Sequence, residues 1–255
     1  MKKWTLPIFY SLVSSKLAFA SGGFTFFSSL AHSLHLPEHI ITYAFVLMMI
    51  LLSGGIYRLG LSKKSNLVML DPGITFRNII ESYGKFVYSQ CQAIIGPVEG
   101  PKYFTFIAAL FLCILANNLI GLIPGFSPAT QNINTTLAMG IFSFAYYNYM
   151  GCKELGTAKY LKHFMGPLWY MAVLVFPIEI ISNLVRPISL ALRLRGNIFG
   201  DHLVMGIFGD LAPLVIPIAF LMLGLLVSFI QAYVFSVLTM VYISLATAHH
   251  DHAEH

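Results

Sequence analysis

PISLALRLRGNIFGDH, Pro187–His202, sets Arg193, Arg195 and Asp201 inside an apolar run that extends from Pro167 to about Gly209. Its leucines and isoleucines belong in a bilayer; its charges do not. A charge at the centre of a spanning helix costs roughly 2.5–3.5 kcal/mol on insertion scales, so a chain that keeps one uses it. The stretch therefore marks an ion or substrate pathway in a membrane protein.

The composition agrees. Of 255 residues, 57% are hydrophobic and 10% charged, which describes a polytopic membrane chain rather than a water-soluble domain hiding one core. The net charge of +5 comes from basic residues dispersed among apolar segments, never a stripe on a polar face, so it speaks for lipid headgroups and topology and against nucleic acid. Cys91, Cys113 and Cys152 have neither pairing nor metal-ligand spacing and read as structural.

As one straight helix at about 1.5 Å per residue, Pro167–Gly209 would reach roughly 64 Å, about twice a hydrocarbon thickness of about 30 Å. It cannot stand upright. Pro177, Pro187 and the glycines offer bends, but the partner segment Pro213–Ala246 is also too long, so the two predict a long, steeply tilted helical hairpin. Such a hairpin can run along the outside of another protein at mid-depth.

Helical phase sorts its polar residues, since positions seven apart differ by only about 20°. Glu179, Arg186, Arg193 and Gly200 form one series; Arg195 and His202 form a second on roughly the opposite side. Ser189, Gly196 and Asn197 flank Arg193 and set it in a groove of small residues. Gly196 and Gly200 make a GxxxG, which reads as a plain dimer or hairpin contact until the arginine is considered. With the arginine there, the approaching partner brings a carboxylate. Arg186 reads either as a snorkelling cation or as a partner of Glu179. His202 reads as a buried neutral histidine or, beside Asp201, as a proton relay. Gln231 on the last helix reads equally as a cross-link between helices.

The flanking chain fits around this hairpin. Met1–Ala20 has the basic start, short apolar run and Ala-Phe-Ala end of a cleavable secretory signal, or else of an uncleaved interfacial arm. Ile40–Tyr57 is a first span closed by Gly54-Gly55 and by Arg58, Lys63 and Lys64. From Pro72 to Gly96, apolar residues recur at helical spacing between Arg77, Glu81 and Lys85, which predicts an amphipathic helix at the cytoplasmic surface. Tyr103–Ile123, carrying Asn117-Asn118, and Thr135–Met150 complete the spans. The fold expected is therefore an all-α polytopic membrane protein of about five spanning helices plus a surface amphipathic helix, residues 21–255 forming one membrane domain. Outside the signal-like start and the last two segments there are nine Lys and Arg, all in loops that this topology puts inside. That bias places the N-terminus out and the C-terminus in. The tail HHDHAEH reads as solvated or as a weak metal scavenger, and no inverted repeat marks a secondary-transporter fold.

At NNLIGLIPG (Asn117–Gly125), NINTTLAM (Asn132–Met139), PISLALRLRGNIFGDH and QAYVFSVLTMVYISLA (Gln231–Ala246), the chain resembles subunit a of F-type ATP synthases, the membrane stator beside the rotating c-ring. The resemblance implies a bacterial inner-membrane protein with no ATP site, cofactor or metal of its own. Its implied partners are the c-ring, a b-type peripheral stalk, the F1 sector indirectly, and the lipid bilayer. It further implies that Arg193 is the stator arginine facing the ion-binding carboxylate of each passing c subunit. A guanidinium stays protonated at any relevant pH, lowers the pKa of that carboxylate and blocks a leak between two half-channels. By the same resemblance Glu179 and His202 are outer half-channel groups, Asn197 and Gln231 polar supports of the arginine helix, and Asn118 part of the aqueous access. Two departures stand out. Gly224 lies where the enteric form has a histidine and the mitochondrial form an acid, and Arg195 lies where a neutral residue is common. The proton wire then leans on water or on Asp201. An autonomous transporter or channel and a structural membrane anchor are the competing classes; co-isolation with a ring of small two-helix subunits separates them.

Overall fold

Helices form here because lipid leaves the backbone no other way to pair its polar groups. The structure is a computed structural model that describes residues 27–62, 75–123, 126–156 and 215–247, with scattered positions between 177 and 203. Among these residues every regular element is helical. In chain order they are α1 (Ser28–Leu34), α2 (Glu38–Ser62), α3 (Phe76–Ile94), α4 (Gly100–Ile120), a short 3-10 turn (Ala129–Gln131), α5 (Ile133–Leu155) and α6 (Val215–Thr247). The described positions between 177 and 203 are helical as well. Three stretches are long and apolar enough to cross a membrane: Glu38–Gly60, Gly100–Ile120 and Leu221–Thr247. The chain is thus an all-α polytopic membrane protein.

The first span does not close at Gly54-Gly55. It runs on to Ser62, and among the described residues a Cβ at either glycine would meet nothing within 4 Å. Its start is Glu38, whose carboxylate occupies the first turn, where the helix dipole favours an anion. α4 starts with Pro101 in its first turn and gives way after Ile120 to tightening turns, Gly121 N–H to Asn118 O, Leu122 to Leu119 and Ile123 to Ile120. A Cβ on Gly121 would come within 2.7 Å of Pro128, so this corner needs its glycine.

The core is an antiparallel and parallel pairing around α6. Phe111 of α4 meets Phe229 of α6 edge-on, and Tyr103 shares a core with Met240 and Ile243, so α4 and α6 run in opposite directions. Met139, Ser143 and Tyr147 of α5 meet Phe235, Thr239 and Tyr242 of α6, so those two run the same way. α3 is the amphipathic helix: its buried Arg77, Val87 and Cys91 lie on one side. Along that side the Tyr83 hydroxyl donates to Ala108 O at 2.6 Å, and Phe86 packs on Phe111, Phe229 and Tyr233. α3 and α4 come so close at their junction that a Cβ on Gly100 would lie 2.8 Å from Cys91 O. Lys102 closes the same end of the bundle, reaching Glu99 at 3.5 Å and, by a shorter contact, Glu154 of α5. At the opposite end Phe27, Phe45 and Phe126 form an aromatic cluster with centroids 5.3–6.3 Å apart.

The expected signal, residues 1–20, the histidine-rich tail and most of the expected hairpin arm Pro167–Gly209 lie outside the described residues.

Candidate functional site

Arg193 lies on a helical turn with its side chain exposed, and Leu192 beside it is 54% exposed. Ile188, Phe199 and Leu203 are exposed too, whereas Ala191 is buried at 1%. One side of this helix therefore packs inward and the other presents apolar side chains around a cation. Gly196 and Gly200, one and two turns beyond the arginine, face open space: a Cβ at either would meet nothing within 4 Å. Of the expected groove, Ser189 and Gly196 are described and exposed, and Asn197 is outside the described residues. Arg195 is exposed as well, so exposure by itself does not separate the two arginines; their phase on the helix does. Glu179, Asn197, Asp201 and His202 lie outside the described residues, as does Arg186.

The other predicted groups are buried. Gln231 is 4% exposed on α6, on the face that also carries Gly224, Ser228, Ser236 and Thr239. This polar stripe runs through an otherwise apolar helix and packs against α4 and α5. Ser143 of α5 and Thr239 share a hydroxyl contact of 3.0 Å, and Thr239 also donates to Phe235 O at 2.9 Å. Asn118 is a cross-link: its Oδ1 accepts from Thr130 Oγ1 at 3.0 Å and ties the end of α4 to the 3-10 turn. Its neighbour Asn117, fully buried, donates from Nδ2 to Cys113 O at 2.8 Å, while its Oδ1 has no hydrogen-bond partner among the described residues. The Ser236 hydroxyl is likewise buried without a partner among the described residues.

An unpartnered acceptor inside a protein costs about 1–3 kcal/mol, and ordered water is the ordinary remedy. Of the Asn117-Asn118 pair, the unpartnered polar atom among the described residues is on Asn117, whereas the resemblance singles out Asn118. Ser143, Ser236 and Thr239 were missed because a lone hydroxyl in an apolar run reads as a helix back-bond. For Ser236 and Thr239, the recurrence of polar residues on α6 at positions 228, 231, 236 and 239 was the available signal.

A helical membrane protein with a buried polar seam and an arginine on an open small-residue face belongs to the class of ion-translocating subunits, whose function resides in charge placement at lipid depth. Comparison with known proteins narrows the class. Residues 41–244 match the family described as ATP synthase A chain. The chain is 43% identical over 218 residues to ATP synthase subunit a of Bdellovibrio bacteriovorus, covering 86% of this chain and 94% of that one. It is 42% identical over 229 residues to ATP synthase subunit a 1 of Pelobacter propionicus, with 88% and 96% covered, and 49% identical over 170 residues to that of Geobacter sulfurreducens, with 62% and 74% covered. The chain belongs to the ATP synthase subunit a family.

Proposed function

We propose that this chain is the stator subunit of a rotary ATP synthase, forming two ion half-channels against a c-ring and coupling proton flow to rotation. The observation that carries this reading is the exposed Arg193 beside Gly196 and Gly200, whose faces no described residue covers. A partner helix can approach closely there and bring an ionised carboxylate to the guanidinium. A protonated carboxylate can face lipid and an ionised one cannot. Ions then enter by one half-channel, ride the ring and leave by the other, and the permanently charged arginine prevents a short circuit.

In this reading Glu179 and His202 serve the outer half-channel, with Asp201 assisting where Gly224 supplies no ionisable group. Asn197 and Gln231 support the arginine helix, and Asn118 belongs to the aqueous access. The buried seam on α6 and the unpartnered Asn117 Oδ1 are consistent with water entering between α4 and α6. The chain sits in the bacterial inner membrane with a mature N-terminus near Ser21 outside and its C-terminus in the cytoplasm, and a b-type stalk holds it against the ring. Arg193→Ala tests the core of this reading. Vesicles carrying it are expected to lose ATP-driven acidification while the complex still assembles; normal pumping at matched expression overturns the proposal.

A further inference from the structure

A cavity of about 580 Å³ lies between the first turns of α2, the middle of α4 and the first half of α5. Its size falls in the range of about 300–1,000 Å³ typical of small-molecule sites, and its walls are mostly apolar, among them Ile40, Phe106, Leu110 and Phe142. Its polar groups gather at one end: His39, Asn134 and Thr135, all within the first turns of α2 and α5. From Asn134 to Phe142 the cavity descends eight residues of helix, about 12 Å, which is close to the depth of one leaflet. Ala138 and Phe142 on its rim are exposed, so it opens sideways to whatever surrounds the helices.

The hydrogen bonding at the polar end fixes what that end offers. Asn132 Oδ1 accepts from Asn134 N at 2.9 Å, which sets the orientation of the Asn132 amide. Its Nδ2 then faces His39 Nδ1 at 3.2 Å. An amide NH2 only donates, so Nδ1 is the acceptor and the ring proton of the neutral imidazole sits on Nε2. His39, which lines this end together with Asn134 and Thr135, therefore carries an N–H donor there. An apolar cleft one leaflet deep, opening to lipid and ending in donors level with the helix ends, fits a molecule with an apolar tail and acceptor oxygens at its head.

We propose that this cavity holds one membrane phospholipid, its acyl chain between α4 and α5 and its ester or phosphodiester oxygens at His39, Asn134 and Thr135. The site is separate from the Arg193 face and does not depend on how ions move. The test uses the whole complex purified in mild detergent, with p-benzoylphenylalanine replacing Phe142 on the rim and, as a control, Leu51, which is 74% exposed on α2 away from the cavity. Irradiation at Phe142 is expected to yield a phospholipid adduct by mass, and extended detergent washing before irradiation is expected to prevent the Leu51 adduct while leaving the Phe142 adduct. Ala138→Phe, which fills the cleft, and His39→Phe, which removes the donor, are each expected to cut the Phe142 adduct severalfold. The proposal is overturned by an adduct to another polypeptide, by no lipid adduct, or by one that washing before irradiation prevents, as at Leu51. An adduct undiminished by Ala138→Phe overturns it equally.

Discussion

Arg193 and Arg195 carry the same charge on the same helix, and only one is expected to be indispensable. Arg193→Lys is predicted to abolish or nearly abolish coupled pumping and ATP synthesis. A desolvated ammonium can lose its proton and lacks the planar fork that grips a carboxylate. Arg195→Leu, on the roughly opposite side of the helix, is predicted to keep substantial coupling; ATP-driven acidification of vesicles at matched assembly measures both, and a reversed order refutes the assigned orientation. Cys91 gives a residue-scale prediction of another kind. Burial pushes its thiol from the ordinary 9.0 up to about 11. A raised thiol pKa keeps the neutral form, and the thiolate is the nucleophile, so near neutral pH the reactive fraction is about a hundredfold below that of an ordinary cysteine. Cys91 is expected to resist maleimide in the folded complex near neutral pH and to react faster only as the pH approaches 11. Rapid labelling near neutrality, measured by peptide mass, contradicts the burial described.

At the scale of elements, the junction of α3 and α4 is the tightest backbone contact described. Gly100→Ala puts a methyl group 2.8 Å from Cys91 O, where only backbone can yield, and is predicted to destabilise the chain by about 1–3 kcal/mol. Gly84→Ala in α3 meets nothing within 4 Å and is predicted to be neutral or to stabilise by about 0.5–1 kcal/mol through helix propensity. Thermal unfolding of the detergent-solubilised complex compares the two, and equal melting temperatures count against the contact. These elements differ in how readily the sequence discloses them. The apolar length of α2, α4 and α6 and the spacing of Val87 and Cys91 on α3 are local patterns, legible one segment at a time. The passage of α2 through Gly54-Gly55 was not, because a glycine pair ends a helix only where something else competes for the backbone, and lipid does not compete. Nor was the bond between His39 and Asn132, separated by 93 positions, since no local pattern reports a contact between two polar residues in different segments. Arg193 was legible for the opposite reason: its cost in a bilayer makes it conspicuous wherever it packs.

For the molecule as a whole, the described bundle of α2 to α6 and the helical turns around Arg193 divide the work, one burying its polar groups and the other presenting a charge. If water reaches the hairpin from the outer side, Glu179→Cys and His202→Cys are each expected to react with a membrane-impermeant thiol reagent applied outside. Protection of both, in a complex that still pumps, removes the half-channel assignment. The uncovered glycines also bear on how the complex comes into being. Before any partner arrives, Arg193 is exposed beside Gly196 and Gly200, which no described residue covers, and a charge left so in the bilayer carries an insertion penalty of about 2.5–3.5 kcal/mol that contact with a carboxylate relieves. The free chain is then the least stable state in its own life history, a substrate for membrane proteolysis until it docks. Cells depleted of the partner ring are accordingly expected to turn this subunit over faster than cells that make both.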